Sequence, residues 1–212
     1  MNLSPSKIVC VGRSYVADKK ELETVKVDNP LLFIKPPSSL NALSEGISWN
    51  QELGSCYHEC EIALRIDRKL SQENDSEKAK AAVGAITLGL DLTLRDLQNE
   101  LKAKGQPWER CKAYDGSCLL ADWVNLEEIS SFNQIKFDFK VNGLTRHQGD
   151  TSLIMYDIGE LLAHISQSFT LEPGDVVMTG CPVGVDALLS NDQIEMNLYG
   201  KTRTFNWQTF VL

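Results

Sequence analysis

Glu59 and Glu61, in His58-Glu59-Cys60-Glu61, are two carboxylates two residues apart inside a run, 56–66, whose alternation reads as a strand. Residues i and i+2 of a strand point to one face. Like charges on one face repel, so a pair held together calls for a cation, either a basic side chain or a metal. A third acid, Asp91, stands where an apolar segment meets a helix start, and burial there without a cationic partner is costly. Three hard oxygen donors, with water completing the shell, suit magnesium or manganese better than zinc. Taken alone, Glu59 and Glu61 also fit the wet face of a half-buried strand.

The neighbouring residue types carry other readings. Cys56, His58 and Cys60 share the opposite strand face, but they lack Cys-x2-Cys pairs, and one strand does not build a closed tetrahedron. His147 and His164 fall in a hairpin and a helix and read as structural or surface residues. Lys112 follows a helix stop and by default is a surface lysine. The segment Gly180-Cys-Pro-Val-Gly184 is a strand-terminating turn whose N–H groups can cradle an oxyanion or carboxylate. It is no phosphate loop, because no Gly-Lys-Ser/Thr follows.

The elements that must hold these residues are mostly strands. Short apolar runs at 7–11 and 30–35 close on Gly12 and on Pro36-Pro37, and 45–49 is also strand-like. Helices are expected at 75–82, after Asp91, and at 158–168. In the second of these, Thr93 and Asp96 are spaced as a capping box, and Gly105 with Pro107 ends the helix. Leu90, Leu94, Leu97 and Leu101 form its buried stripe, with Asp91, Arg95 and Gln98 as a polar stripe alongside. Asn142-Gly143 joins 134–141 to 144–148 as a hairpin, and 193–199 returns through 203–211 in the same way. The strand at 176–179 feeds the Gly180 turn. Many strands and few, non-alternating helices predict an α+β fold rather than a doubly wound sheet.

With 212 residues, 42% hydrophobic, and no linker or repeat, the chain reads as one domain, 1–212. A net charge of −8 argues against general nucleic-acid binding, which needs a basic face. The six cysteines follow no secreted disulfide spacing and no signal segment is evident, so a reducing cytoplasm is expected. The longest uncharged run, 81–90, falls well short of the roughly 20 residues that span a bilayer, so no membrane association is expected.

Ordered landmarks run along nearly the whole chain: Lys7-Ile-Val-Cys-Val-Gly-Arg-Ser-Tyr15, Leu32-Phe-Ile-Lys-Pro36, His58-Glu-Cys-Glu61, Leu90-Asp-Leu-Thr-Leu-Arg-Asp-Leu-Gln98, Gly105-Gln-Pro-Trp-Glu109, Lys112-Ala-Tyr-Asp115 and Pro173-Gly-Asp-Val-Val-Met-Thr-Gly180. In these the chain resembles the fumarylacetoacetate hydrolase family, specifically its short single-domain, acylpyruvate hydrolase-like members. The resemblance implies layered mixed β-sheets, a homodimer, and magnesium or manganese at Glu59, Glu61 and Asp91. It gives Lys112, Arg95 and Gln98 contacts to substrate or metal, with Gly180 and Cys181 at the substrate turn. The implied substrate is a small 2-oxo carboxylic acid that chelates the metal and passes through an enolate. Acylpyruvate hydrolysis is the leading expectation, with oxaloacetate decarboxylation, tautomerisation or a related isomerisation as the alternative, and ligand binding without turnover as a third reading.

The departures concern the lid and the substrate turn. On the lid segment expected at 15–28, members of this type carry a His followed three residues later by Glu. Here Glu21 is present but Asp18 takes the His position, and an isolated Asp, with a pKa near about 3.9, is a weak base. Asp18 and Glu21 are still expected to handle water or protons. At the turn, Cys181 replaces the usual Thr, and Asp186 stands where Gly is usual.

Overall fold

The computed structural model describes residues 4–25 and 29–212. The chain opens with β1 (Ile8–Gly12), helix α1 (Lys19–Thr24), β2 (Leu31–Lys35) and the short β3 (Leu40–Ala42). It continues through β4 (Cys56–His58), β5 (Cys60–Ile66), α2 (Ser76–Lys80), β6 (Val83–Asp91) and β7 (Thr93–Leu94). Two helices follow, α3 (Arg95–Ala103) and α4 (Glu109–Lys112), then β8 (Cys118–Leu120) and β9 (Val124–Asn125). The rest is β10 (Lys136–Val141), β11 (Leu144–Asp150), α5 (Ile158–Ser168), β12 (Val176–Met178), β13 (Asp186–Ala187), β14 (Gln193–Tyr199) and β15 (Thr204–Phe210).

These strands form three sheets, as the α+β expectation requires. The largest runs β2-β1-β12-β5-β6-β8-β3 with β9 beside β6; a second runs β11-β10-β14-β15; and β13-β4-β7 is a small third. The central pair β5 and β6 is buried almost throughout, and its Val, Ile, Leu and Ala side chains fill the space on both faces, as inner strands do. The two expected hairpins form, each contributing two strands to the second sheet. Asp157 caps α5 by accepting the N–H groups of Gly159 and Glu160, and the helix spans the expected residues.

Four local expectations change. The run 56–66 is two strands: β4 pairs with β7 and β13, β5 pairs with β6 and β12, and the chain changes sheet at Glu59. Alternation continues across such a switch, so the pattern does not reveal it. No strand forms at 45–49; a 3-10 turn at Leu43–Glu45 leads to a single bridge between Ile47 and Val211. The capping box at Thr93 and Asp96 is absent: Leu94 is the cap residue of α3, Thr93 lies in β7, and the Asp96 carboxylate accepts the Ser55 N–H at 3.1 Å. The helix expected at 75–82 is shorter, Ser76–Lys80, with Asp75 as its cap.

Of the lid segment, residues 26–28 lie outside the described residues. The described part forms α1, which buries none of its side chains. No described helix is long and apolar enough to cross a membrane. All six cysteines are free thiols.

Candidate active site

Pairing of β5 with β6 puts Glu61 opposite Gly89, and Asp91 lies two residues further along β6 on the same face. Glu59 joins them at the sheet switch, where its carbonyl accepts the Asp91 N–H at 2.8 Å. One carboxylate oxygen from each of the three lies within 4.8 Å of the others, and Glu61 and Asp91 are buried. Glu59, Glu61 and Asp91 thus lie together, although a strand break at Glu59, and not the continuous strand expected for Glu59 and Glu61, brings them there.

Lys112 is buried, contrary to its reading as a surface lysine. Helix α4 turns it inward, and its ammonium donates at 2.7 Å to both Glu59 Oε2 and Asp91 Oδ2, 5.1 Å from the centroid of the Phe33 ring. Arg95 lies on α3 with one nitrogen 3.6 Å from Glu59 Oε1 and 2.9 Å from Gln98 Oε1. These residues line a cavity of about 360 Å³ together with Arg13, Phe33, Lys102, Trp108 and Cys181.

The carboxylates divide the charge unequally. Burial alone would raise Asp91, but Lys112 and Lys35 outweigh it and hold its carboxyl below the usual range. Glu61 goes the other way: burial, then the Asp91 and Glu59 charges, push it well up, against the opposing Lys112 and the Gly180 N–H. Burial would lower Lys112, yet Asp91 and Glu59 keep its ammonium charged and its pKa raised. Glu61 therefore keeps its proton to higher pH than an ordinary carboxylate, and a divalent cation must compete with that proton. Mn²⁺ affinity should rise with pH above the ordinary carboxylate range, with about one proton released per metal bound; calorimetry in buffers of different ionisation heat reads this, and pH-independent affinity would contradict it.

The donor set fits a hard divalent cation. Glu59, Glu61 and Asp91 offer only carboxylate oxygen, converge on one cavity, and carry more negative charge than Lys112 alone neutralises.

Other expected site residues are placed differently. Asp18 caps α1 through Oδ1, which accepts the Lys20 and Glu21 N–H groups at 2.8 and 3.0 Å, while Glu21 Oε2 accepts the Ala17 N–H at 2.7 Å. The two acids thus both bind backbone N–H groups at the start of an exposed helix, and neither lines the cavity. Gly180 does not offer its N–H to a substrate, because that group donates to Glu61 Oε2 at 2.7 Å. Its φ of 96° and a Cβ position 1.9 Å from Ser14 Oγ admit only glycine. Cys181 does line the cavity; its thiol, raised by burial and then by Glu61 and Glu59, donates to the Pro182 carbonyl at 3.1 Å. Asp186 stays exposed, 3.6 Å from Arg146.

Lys35 escaped the sequence reading. Fully buried at the end of β2, its ammonium donates to the carbonyls of Lys112 and Ser117 and makes an ion pair with Asp91 Oδ1 at 2.9 Å. It ties the backbone beneath Lys112 to the carboxylate that Lys112 holds. The available signal was a charged residue ending the apolar strand Leu-Leu-Phe-Ile-Lys. His58 and His147 are likewise more than isolated core residues. His147 Nδ1–H must donate to the Val183 carbonyl at 3.0 Å, so its Nε2 accepts from His58 Nδ1 at 2.9 Å. The pair ties β4, next to Glu59, to the turn carrying Cys181. Burial, then His147, lowers His58 to about 3, so it stays neutral.

The family model for the fumarylacetoacetate hydrolase C-terminal region matches residues 7–206. The chain is 39% identical over 200 residues to the oxaloacetate tautomerase YcgM of Escherichia coli K12, covering 94% of this chain and 91% of that one. A crystal structure from Oleispira antarctica, provisionally described as a fumarylacetoacetate isomerase/hydrolase, superposes with a TM-score of 0.91 at 39% identity, covering 100% and 96% of the two chains. The Pseudomonas aeruginosa fumarylpyruvate hydrolase, solved with Mn²⁺ and pyruvate, superposes with a TM-score of 0.83 at 26% identity, covering 97% and 89%. On its sequence, its fold and its buried acidic triad, this chain belongs to the fumarylacetoacetate hydrolase family of enzymes.

Proposed function

We propose that this enzyme interconverts the keto and enol forms of a small 2-oxo acid, oxaloacetate being the best-supported substrate, with magnesium or manganese held by Glu59, Glu61 and Asp91. The observation that carries this reading is the convergence of those carboxylates with a protonated, buried Lys112 in one cavity. The likeness to an oxaloacetate tautomerase supports the choice of substrate.

When bound, the divalent cation supplies Lewis-acid stabilisation of negative charge at the oxygen of the 2-oxo group. Lys112 places a second positive charge beside that oxygen, and burial strengthens its effect. Arg95, braced by Gln98, holds the substrate carboxylate. Lys35 keeps Asp91 and the Lys112 backbone in register. The proton leaves C3 and arrives at the C2 oxygen, so the reaction consumes no water. Glu21 is assigned the proton transfer once the lid closes, and Asp18 serves as its helix cap. Releasing the cap contacts costs about 1 kcal/mol, within reach of substrate binding.

Hydrolysis makes a further demand, a base-activated water at the acyl carbon. Asp18 Oδ1 is engaged as the helix cap, and a carboxylate is intrinsically a weaker base toward water near neutral pH than the His that would stand at that position. Acylpyruvate hydrolysis is therefore the second reading, favoured by the likeness to a fumarylpyruvate hydrolase. Oxaloacetate decarboxylation uses the same enolate and shares the substrate. With Mg²⁺ present, enol-oxaloacetate ketonisation should outpace both oxaloacetate decarboxylation and acetylpyruvate cleavage in side-by-side assays. Faster acetylpyruvate cleavage would replace this proposal with the hydrolytic one.

The free thiols support a cytoplasmic location, and the homodimer remains part of the proposal on the family resemblance.

A further inference from the structure

Four cations, Arg13, Arg95, Lys102 and Lys112, line the cavity against the three carboxylates. The inner two are engaged, Lys112 with Glu59 and Asp91, and Arg95 with Glu59 and Gln98. The outer two differ. Lys102 follows Arg95 by seven residues and Gln98 by four, so all three share one face of α3. Its ammonium rests 4.8 Å from the centroid of the Trp108 ring, a contact that orients the charge without neutralising it. Arg13 follows β1 directly in a left-handed conformation, φ 57°, which a non-glycine residue adopts at a cost. Among the described residues, neither Arg13 nor Lys102 has a carboxylate partner.

The charges facing Lys102 are of its own sign. Burial first, then Arg95, Arg13 and Lys112, lower its pKa. Like charges gathered without an acid at one cavity are relieved by an anion. Even with all three carboxylates ionised, the four cations leave the cavity one net positive charge, and a divalent cation would add two more. A substrate with a single carboxylate spends it on the chelating end and leaves the outer cations unmatched.

We propose that Lys102 and Arg13 seat a second, distal carboxylate, so that the site selects 2-oxo dicarboxylates over 2-oxo monocarboxylates. This inference rests on the 2-oxo acid reading above. It differs from a role in closing the lid, in which the same cations would pair with Asp18 or Glu21 and serve every substrate equally.

The matched probes are oxaloacetate and its 4-methyl ester, in which one methyl group removes the distal charge. Wild type should favour oxaloacetate in kcat/KM by at least about tenfold. Lys102→Met and Arg13→Gln should each lower that preference about tenfold, mainly through KM for oxaloacetate, while Lys102→Arg retains it. Equal losses on both probes, or an unchanged preference in both variants, would overturn the proposal. If wild type turns over neither probe, the reaction reading fails on its own. The seat is then tested by calorimetry of the Mn²⁺-loaded protein: oxaloacetate binding more tightly than pyruvate, with Lys102→Met removing the difference, supports it, and no difference in wild type overturns it.

Discussion

Asp91→Asn should both unfold the protein more easily and abolish its activity, because one side chain serves two purposes. In the metal-free protein, Asp91 faces two lysines that are almost fully removed from water, Lys35 on Oδ1 and Lys112 on Oδ2. Taking away one partner of a buried charge pair costs about 3–5 kcal/mol, since the remaining charges stay buried. The amide is nearly isosteric, so the loss reflects charge rather than packing. The substitution also removes one of three anionic oxygen donors, and loss of several kcal/mol of charge stabilisation corresponds to a fall in rate on the order of 10³-fold. Urea melts of the metal-free variant and ketonisation assays at saturating Mg²⁺ measure the two effects separately. A variant as stable as wild type would show that the lysines do not depend on Asp91.

Lys112→Met should move metal affinity and activity in opposite directions. Lys112 donates to Glu59 and Asp91, the same carboxylates assigned to the metal, so it competes with any cation that arrives. Without it, Mn²⁺ should bind more tightly, and the added metal should stabilise the variant more than it stabilises wild type. Turnover should nonetheless fall about 10²-fold or more, as expected when a buried donor to a developing oxyanion is lost. The metal-free variant should be less stable, because Glu59, Glu61 and Asp91 then crowd together without Lys112, and Lys35 alone remains beside Asp91. Weaker Mn²⁺ binding by Lys112→Met would mean that the lysine supports the metal site and does not compete with it.

What the residues disclosed depended on whether the information was local. The Asn142-Gly143 hairpin and helix α5 with its Asp157 cap follow from short-range chemistry and are found where expected. The spacing of Glu59 and Glu61 and the cost of burying Asp91 raised a metal site as one reading, and the family resemblance made the set specific. Failures came where a long-range partner decides. The sheet switch at Glu59 depends on which strands lie alongside, and Asp96 leaves the expected cap because Ser55, far back in the chain, presents an N–H to it. Burial of Lys112 and the clamp formed by Lys35 arise from the packing of α4 and β2 around β6, which no local pattern encodes. Gly180 was recognised as a turn residue, yet its N–H is taken by Glu61 from 119 positions away.

The proposed preference for proton transfer over hydrolysis turns on Asp18. Its replacement of a His is visible in the sequence, but only the structure shows the carboxylate accepting two N–H groups as a helix cap. A proton-transfer reaction tolerates that arrangement better than one that must activate water.

The most direct measurement of the central claim is the rate of enol-oxaloacetate ketonisation after complete chelation of divalent cations, followed by titration with Mg²⁺ or Mn²⁺. Activity should vanish on chelation and return with a stoichiometry of one metal per chain in wild type, but not in Glu61→Gln. Full ketonisation activity in the chelated protein, or equal restoration of Glu61→Gln, would contradict the assignment of Glu59, Glu61 and Asp91 as the metal centre of this reaction.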